Sequence, residues 1–156
     1  MSTDKQLLII AHAPSPNTER LATALAEGAS DATIEGVSMQ RAAPLQAGPD
    51  DVLAADAILL FTPENLGYMS GALKDFFDRT YYAVLDHKQG LPYALCVRAG
   101  SDGTGTCRAV DTITTGLRWR AVNEPLVCRG DFRDSFVDDC RELGMAMAAG
   151  LEAGVF

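Results

Sequence analysis

The chain has no C-x-x-C pair. Its four cysteines, Cys96, Cys107, Cys128 and Cys140, are scattered over the second half of the sequence. A zinc site or a dithiol redox motif needs closer clustering. They read as reduced, mostly structural thiols, and no metal is expected. No apolar run approaches the roughly 18 residues of a membrane span, and the opening MSTDKQ lacks the apolar core of a signal peptide. A cytoplasmic location with no membrane partner is the expectation. Positive charge is scarce: 13 lysines and arginines stand against 21 acids, a formal charge of −8. Such a surface repels phosphate backbones, so no nucleic-acid partner is expected. Internal repeats, low-complexity tracts and interdomain linkers are missing as well. With 47% hydrophobic residues in 156, residues 1–156 read as one domain with a substantial core.

What the sequence does have is an alternation. Residues 7–11 are a continuous apolar run, followed by a helical pattern with Leu21, Leu25 and Ala29 on one face. Residues 32–39 make a weaker strand, and a short helix starts near Asp50. Residues 57–61 are the second strong run, and the helix after it turns Leu73, Phe76, Phe77 and Tyr81 inward. Residues 93–97 are the third. A glycine-rich loop, a helix over 107–118, a strand over 121–128 and a last helix over 135–151 complete the chain. Short, uniformly apolar strands signal burial on both faces, as parallel sheets require. Right-handed crossovers then leave few topologies. The expected fold is α/β: a doubly wound parallel sheet of five strands, order 2-1-3-4-5, with helices on both faces. Ligands of such sheets sit beyond the carboxyl ends of strands 1 and 3.

Unusual loops stand there. In HAPSPNTER, Ser15 suits an N-cap and Pro16 the first helical position. Asn17, Thr18 and Glu19 would then point N–H groups out of the helix end, an anion site that needs no Lys or Arg. A plain helix cap is the alternative. His12 ends the strand and either touches the anion or substrate or is structural. In TPENLGYMSG, Pro63 is expected to stop the strand and Ser70 or Gly71 to open the next helix. Glu64, Asn65, Leu66 and Tyr68 mix polar and apolar groups as a flat heteroaromatic ring requires, although an ordinary loop with Tyr68 half-buried also fits. Gly67 and Gly71 are expected to leave this loop free to yield. In RAGSDGTGTCR, Gly100, Gly103 and Gly105 let backbone N–H groups approach a ligand. That loop matches neither G-x-G-x-x-G nor G-x-x-x-x-G-K-[ST]. His87 reads as a solvated loop residue, Trp119 as packing, and Met145 and Met147 as core or interface fillers.

SPNTERLATALAEG, taken with ADAILLFTPENLGYMSGALKDFFDRTYY, resembles the flavodoxin-like flavoprotein superfamily. The likeness is greatest to its NAD(P)H-dependent FMN reductases and to quinone reductases of the tryptophan-repressor-binding-protein type. It covers nearly the whole chain, and its most specific element is P-E-N-x-G-x-M-S-G-x-L-K-x-F-x-D-R, residues 63–79. The resemblance implies FMN as cofactor and NADH or NADPH as donor. It puts Ser15, Asn17 and Thr18 on the phosphate, and His12, from its place at the strand end, is a further candidate cofactor contact. Pro63, Glu64, Asn65, Leu66, Gly67 and Tyr68 become ring and ribityl contacts, and Gly100, Ser101, Asp102 and Gly103 close the far rim. Ala13 stands where these proteins often carry a hydroxyl residue, and the longer insertion of many quinone reductases after the middle strand is missing.

The expected function is an FMN-binding oxidoreductase passing electrons from NAD(P)H to a quinone, free flavin or similar small acceptor. The resemblance also implies a homo-dimer or homo-tetramer. No side chain need act as acid or base, because flavin N5 carries the chemistry. The alternative is a flavodoxin-type electron carrier without its own NAD(P)H turnover. A receiver-type signalling domain would need an Asp where this chain has Thr62-Pro63 and is excluded.

Overall fold

A computed structural model describes residues 4–156. In chain order its elements are β1 (Lys5–Ala11), α1 (Pro16–Ala29), β2 (Val37–Ala42), α2 (Pro49–Ala54), β3 (Ala57–Asn65) and β4 (Tyr68–Met69). There follow α3 (Gly71–Val84), β5 (Pro92–Ala99), α4 (Thr104–Leu117), β6 (Arg120–Ala121), β7 (Leu126–Arg129) and α5 (Ser135–Ala153). The parallel sheet runs β2-β1-β3-β5, with β6 and β7 both on the outer side of β5. These two pieces share the fifth position, so the expected doubly wound order is the order found.

The fifth strand is broken for a countable reason. Between the pairings Tyr93↔Ala121 and Cys96↔Leu126, β5 advances three residues and its neighbour five. The surplus is looped out at Asn123, Glu124 and Pro125, all exposed, and Pro125 has no N–H to give a ladder. β2 starts later than expected because residues 31–34 turn instead. The Asp31 carboxylate accepts from the Thr33 amide at 2.8 Å and Ile34 N–H returns to Asp31 O at 3.0 Å. α4 starts earlier, at Thr104, with Gly103 in the left-handed region (φ 72°) as its N-cap.

Side chains of β1 and β3 alternate between two cores. Leu7, Ile9, Leu59 and Phe61 face α1 and α5, while Leu8, Ile10, Ile58 and Leu60 face α2, α3 and α4. Leu21, Leu25, Ala29, Leu73, Phe76 and Phe77 are buried as the periodicity indicated, and Tyr81 is half-buried. Trp119 packs between the rings of Phe77 and Tyr93. Met147 is core, Met145 half-buried and His87 exposed. α1 and α5 meet backbone to backbone: a Cβ on Gly28 would lie 2.0 Å from Arg141 O, and one on Gly144 2.0 Å from Leu25 O. No helix among the described residues is long and apolar enough to cross a membrane.

Candidate active site at the carboxyl edge

Because β1, β3 and β5 are neighbours, the three candidate loops leave the sheet side by side. The His12 amide donates to Phe61 O of β3 (3.0 Å), and Pro63 lies across from Arg98 of β5.

In the first loop Ser15 caps α1 and Pro16 opens it, as expected. Ser15 and Thr18 then close on each other. Thr18 N–H donates to Ser15 Oγ (3.2 Å), Ser15 N–H to Thr18 Oγ1 (2.9 Å), and Thr18 Oγ1 to Ser15 O (3.0 Å). Glu19 N–H also returns to Ser15 O (2.9 Å). Of the three amides expected to face outward, only that of Asn17 is left without a partner among the described residues. A hydroxyl three residues after the cap permits this reciprocal box, which satisfies two donors internally. Thr18 is buried and orders the turn, while Ser15 and Asn17 are exposed at its mouth.

His12 is half-buried, and its Nδ1, fully screened from solvent, has no hydrogen-bond partner among the described residues. An unsatisfied buried polar atom costs about 1–3 kcal/mol, so a bound group that met it would be favoured. Burial lowers the His12 pKa from its ordinary 6.5. The folded state therefore binds this proton less readily than the unfolded chain. Its contribution to stability is present above pH 6.5 and lost as pH falls below that value. Denaturation midpoints of the cofactor-free protein should fall more steeply on acidification than those of His12→Asn; parallel curves would contradict this.

The second loop departs from expectation. β3 does not stop at Pro63 but continues to Asn65. The His12–Phe61 bond shows that odd residues of β3 turn their backbone groups toward β1, and β1 ends level with Phe61. A proline at 63, beyond the last β1 pairing, takes no bond out of that ladder. Buried Thr62 donates to Pro63 O (2.8 Å) and accepts from Ser70 N–H (3.0 Å), fastening the returning chain to the strand. Between these points lies a tight hairpin, not an open loop. Glu64 pairs with Met69 and Asn65 with Tyr68, antiparallel, and the turn residues Leu66 and Gly67 have φ of 55° and 77°. Two successive positive φ values suit the twist of paired strands, although a branched residue there is strained. Leu66 is fully exposed at the tip and Tyr68 is 40% exposed. Nor is the hairpin free to yield. It is seated on α4, where a Cβ on Gly105 would lie 2.0 Å from Gly67 O.

In the third loop, Gly103 is required by its φ and by Val127, whose Cγ1 would be 2.8 Å from an added Cβ. Gly100 has open space around it, and Ser101 and Asp102 are exposed beside it. The Asp102 carboxylate accepts from Thr104 N–H (3.0 Å), and Thr104 holds its pKa below the usual carboxylate value. Arg129 Nε donates to Asp102 O (2.9 Å) and steadies the rim from β7. Sequence reasoning missed Arg129, for which no local signal exists, and saw Gly105 only as one more flexible glycine. A cleft of about 590 Å³ on the outer side of this loop is lined by Asp102, Thr104, Cys107 and Arg108, with Arg129 opposite, and shares no residue with the other two loops. Arg79 of the most specific segment is structural. Its guanidinium donates to Ala47 O (2.9 Å) and Pro44 O (2.7 Å), tying α3 to the segment between β2 and α2.

Residues 6–130 match the family described as NADPH-dependent FMN reductase. A flavodoxin of Aquifex aeolicus (strain VF5) is 34% identical over 73 residues, which are 47% of this chain and only 38% of that flavodoxin. The structure is similar to a flavodoxin from the domain Archaea, with a TM-score of 0.79 and 19% identity over 94% of this chain and 98% of that one. It is also similar to a flavodoxin, WrbA-like protein from Agrobacterium tumefaciens, with a TM-score of 0.69 and 16% identity over 96% and 98%. These structural likenesses show the flavodoxin-like fold that the strand order indicated. The family match takes in all three edge loops, and on it the chain belongs to the NADPH-dependent FMN reductase family.

Proposed function

We propose that this chain holds FMN across the three loops, accepts hydride from NADH or NADPH, and passes electrons to a quinone, a free flavin or a similar small acceptor. The family and the fold support a flavin-binding oxidoreductase; the nicotinamide donor and the small acceptor go beyond them. The observation that carries the reading is the first loop, where His12 Nδ1 and the Asn17 amide have no partner among the described residues at the start of a helix. A helix start favours an anion through its partial positive charge and free amides. In its Nδ1–H tautomer His12 adds a donor, and the exposed Ser15 hydroxyl stands at the same mouth. Arg20 of α1 and Arg41 of β2 are engaged in ion pairs, with Asp134 at 3.1 Å and with Glu19 at 2.6 Å. A single phosphate fits this set.

Across the edge, the hairpin offers Glu64 and Asn65 as polar rim groups and Tyr68 and Leu66 as apolar surface. Gly100, Ser101 and Asp102 lie along the third loop. When bound, FMN supplies N5 as the hydride acceptor. The protein's task is to grip the phosphate, seat the ring against a rigid wall and leave one side open to a nicotinamide. The second reading, a flavodoxin-type carrier, is favoured by the partial match to the Aquifex flavodoxin. The family match favours the reductase.

Titrating the cofactor-free protein with FMN and with riboflavin tests the phosphate site. At a hundredfold excess over its Kd, FMN should stabilise the fold by about 2.7 kcal/mol and lose its fluorescence on binding. Riboflavin, which lacks the phosphate, should stabilise it clearly less. Equal stabilisation by the two would remove the first loop from the site.

A further inference from the structure

Three cysteines far apart in the sequence meet in the core behind the third loop. Cys96 of β5, Cys128 of β7 and Cys140 of α5 hold their sulfurs within 4.8 Å of one another, with Cys96 Sγ 3.6 Å from Cys140 Sγ. Cys128 pairs in register with Arg98, so it stands one pleat along from Cys96 on the face that α5 covers. None of the three is more than 1% exposed. The expectation of scattered thiols with no metal-ligand clustering is thereby corrected. Spacing along the chain reports only local neighbours, and strand pairing brings these together.

Buried thiols can simply fill space as small hydrophobes. Two features of this cluster go further. A trigonal metal site with metal–sulfur bonds of about 2.3 Å has its sulfurs roughly 4 Å apart, which is the spacing this cluster spans. The donor set is also uniform: no His, Asp or Glu joins it among the described residues. Zinc ordinarily fills four positions, whereas soft thiolates alone, with no fourth ligand, suit copper(I). A cation also stands beside the cluster. Arg98 is fixed there by donating to Cys128 O (3.1 Å) and lying over the Phe136 ring (5.5 Å).

We propose that Cys96, Cys128 and Cys140 form a buried three-thiolate site for a soft, three-coordinate cation of the copper(I) kind. Binding exchanges S–H for Cu–S bonds. Each thiol still protonated releases its proton to water, the metal stays monovalent, and no electrons move. Arg98 and Arg133 offset part of the negative charge of the complex. Entry is through β7, a four-residue strand paired with β5 on its outer side, the kind of element that opens locally.

The test is an anaerobic titration of the FMN-loaded protein with copper(I) against the chromogenic chelator bicinchoninate. One equivalent should be retained per chain, and X-ray absorption should find three sulfur neighbours around it. Cys107→Ser should retain the metal, because Cys107 lies outside the cluster. Cys128→Ala, whose melting curve without copper first establishes that it folds, should lose it. The absorption measurement needs no variant and stands even where a substitution disturbs the core. No retention against the chelator, fewer than three sulfur neighbours, or loss of copper in Cys107→Ser would overturn the proposal.

Discussion

Gly105→Ala is expected to weaken FMN binding roughly tenfold or more and to destabilise the protein by about 1–3 kcal/mol. Helix propensity alone argues the reverse, since Ala exceeds Gly by about 1 kcal/mol in a helix and Gly105 lies in the first turn of α4. The added Cβ, however, would be 2.0 Å from Gly67 O and 3.1 Å from Gly67 C. Both are backbone atoms of a two-residue turn, which cannot rotate aside without undoing the Asn65–Tyr68 pairing. The hairpin must lift off α4 and carry Glu64, Asn65 and Tyr68 with it. FMN and riboflavin should lose affinity alike, because the damage is to the ring's wall. His12→Asn, by contrast, should harm FMN more than riboflavin. Gly100→Ala is the control, since its Cβ would meet nothing within 4 Å. Calorimetric titration of both ligands reads the outcome. Unchanged affinity with a higher Tm in Gly105→Ala would detach the hairpin from the site.

The largest loss of stability is expected from Gly144→Ala or Gly28→Ala at the contact of α1 with α5. Each new Cβ would press on a carbonyl 2.0 Å away, Leu25 O or Arg141 O. The helices must separate along a face that buries Leu21, Leu25, Leu143 and Met147. A cost of about 2–3 kcal/mol corresponds to a Tm lower by roughly 4–12 °C in a chain of this size. The double variant should lose less than the sum of the two, because one separation of the helices relieves both clashes. Thermal melts of the four proteins measure this coupling. A rise in Tm for either single variant, as propensity alone would give, would mean the helices are not in backbone contact.

Much of this fold was legible because its central strands are buried on both faces. The runs at Leu7–Leu8–Ile9–Ile10 and Ile58–Leu59–Leu60, short and bounded by turn residues, read as such strands. β2, an edge strand with polar residues at Ser38, Gln40 and Arg41, carries too weak a pattern to fix its ends. Pro63 misled for a different reason. The rule that proline stops a strand assumes a neighbour on both sides, and β3 outruns β1 at that point. Of the candidate site, the Ser15–Pro16 helix start and the three adjacent loops were readable from residue type. The commitment of Thr18 to Ser15, the seating of Gly67 on Gly105, and the reach of Arg129 to Asp102 were not. The last two depend on a distance between backbones or on a contact remote in sequence, and the first on which way a hydroxyl three residues past the cap turns. The meeting of Cys96, Cys128 and Cys140 was hidden in the same way.

Direct hydride transfer from a nicotinamide separates a reductase from a carrier. The FMN-loaded protein, held without oxygen, is mixed rapidly with NADPH or NADH, each with and without deuterium at the transferred position, and flavin absorbance is followed. The proposed function predicts that at least one nucleotide bleaches the flavin directly, and that the deuterated form does so more slowly by a primary isotope effect. If neither nucleotide bleaches it, while dithionite or a separate reductase does, the chain is a carrier and the proposed reductase activity is wrong.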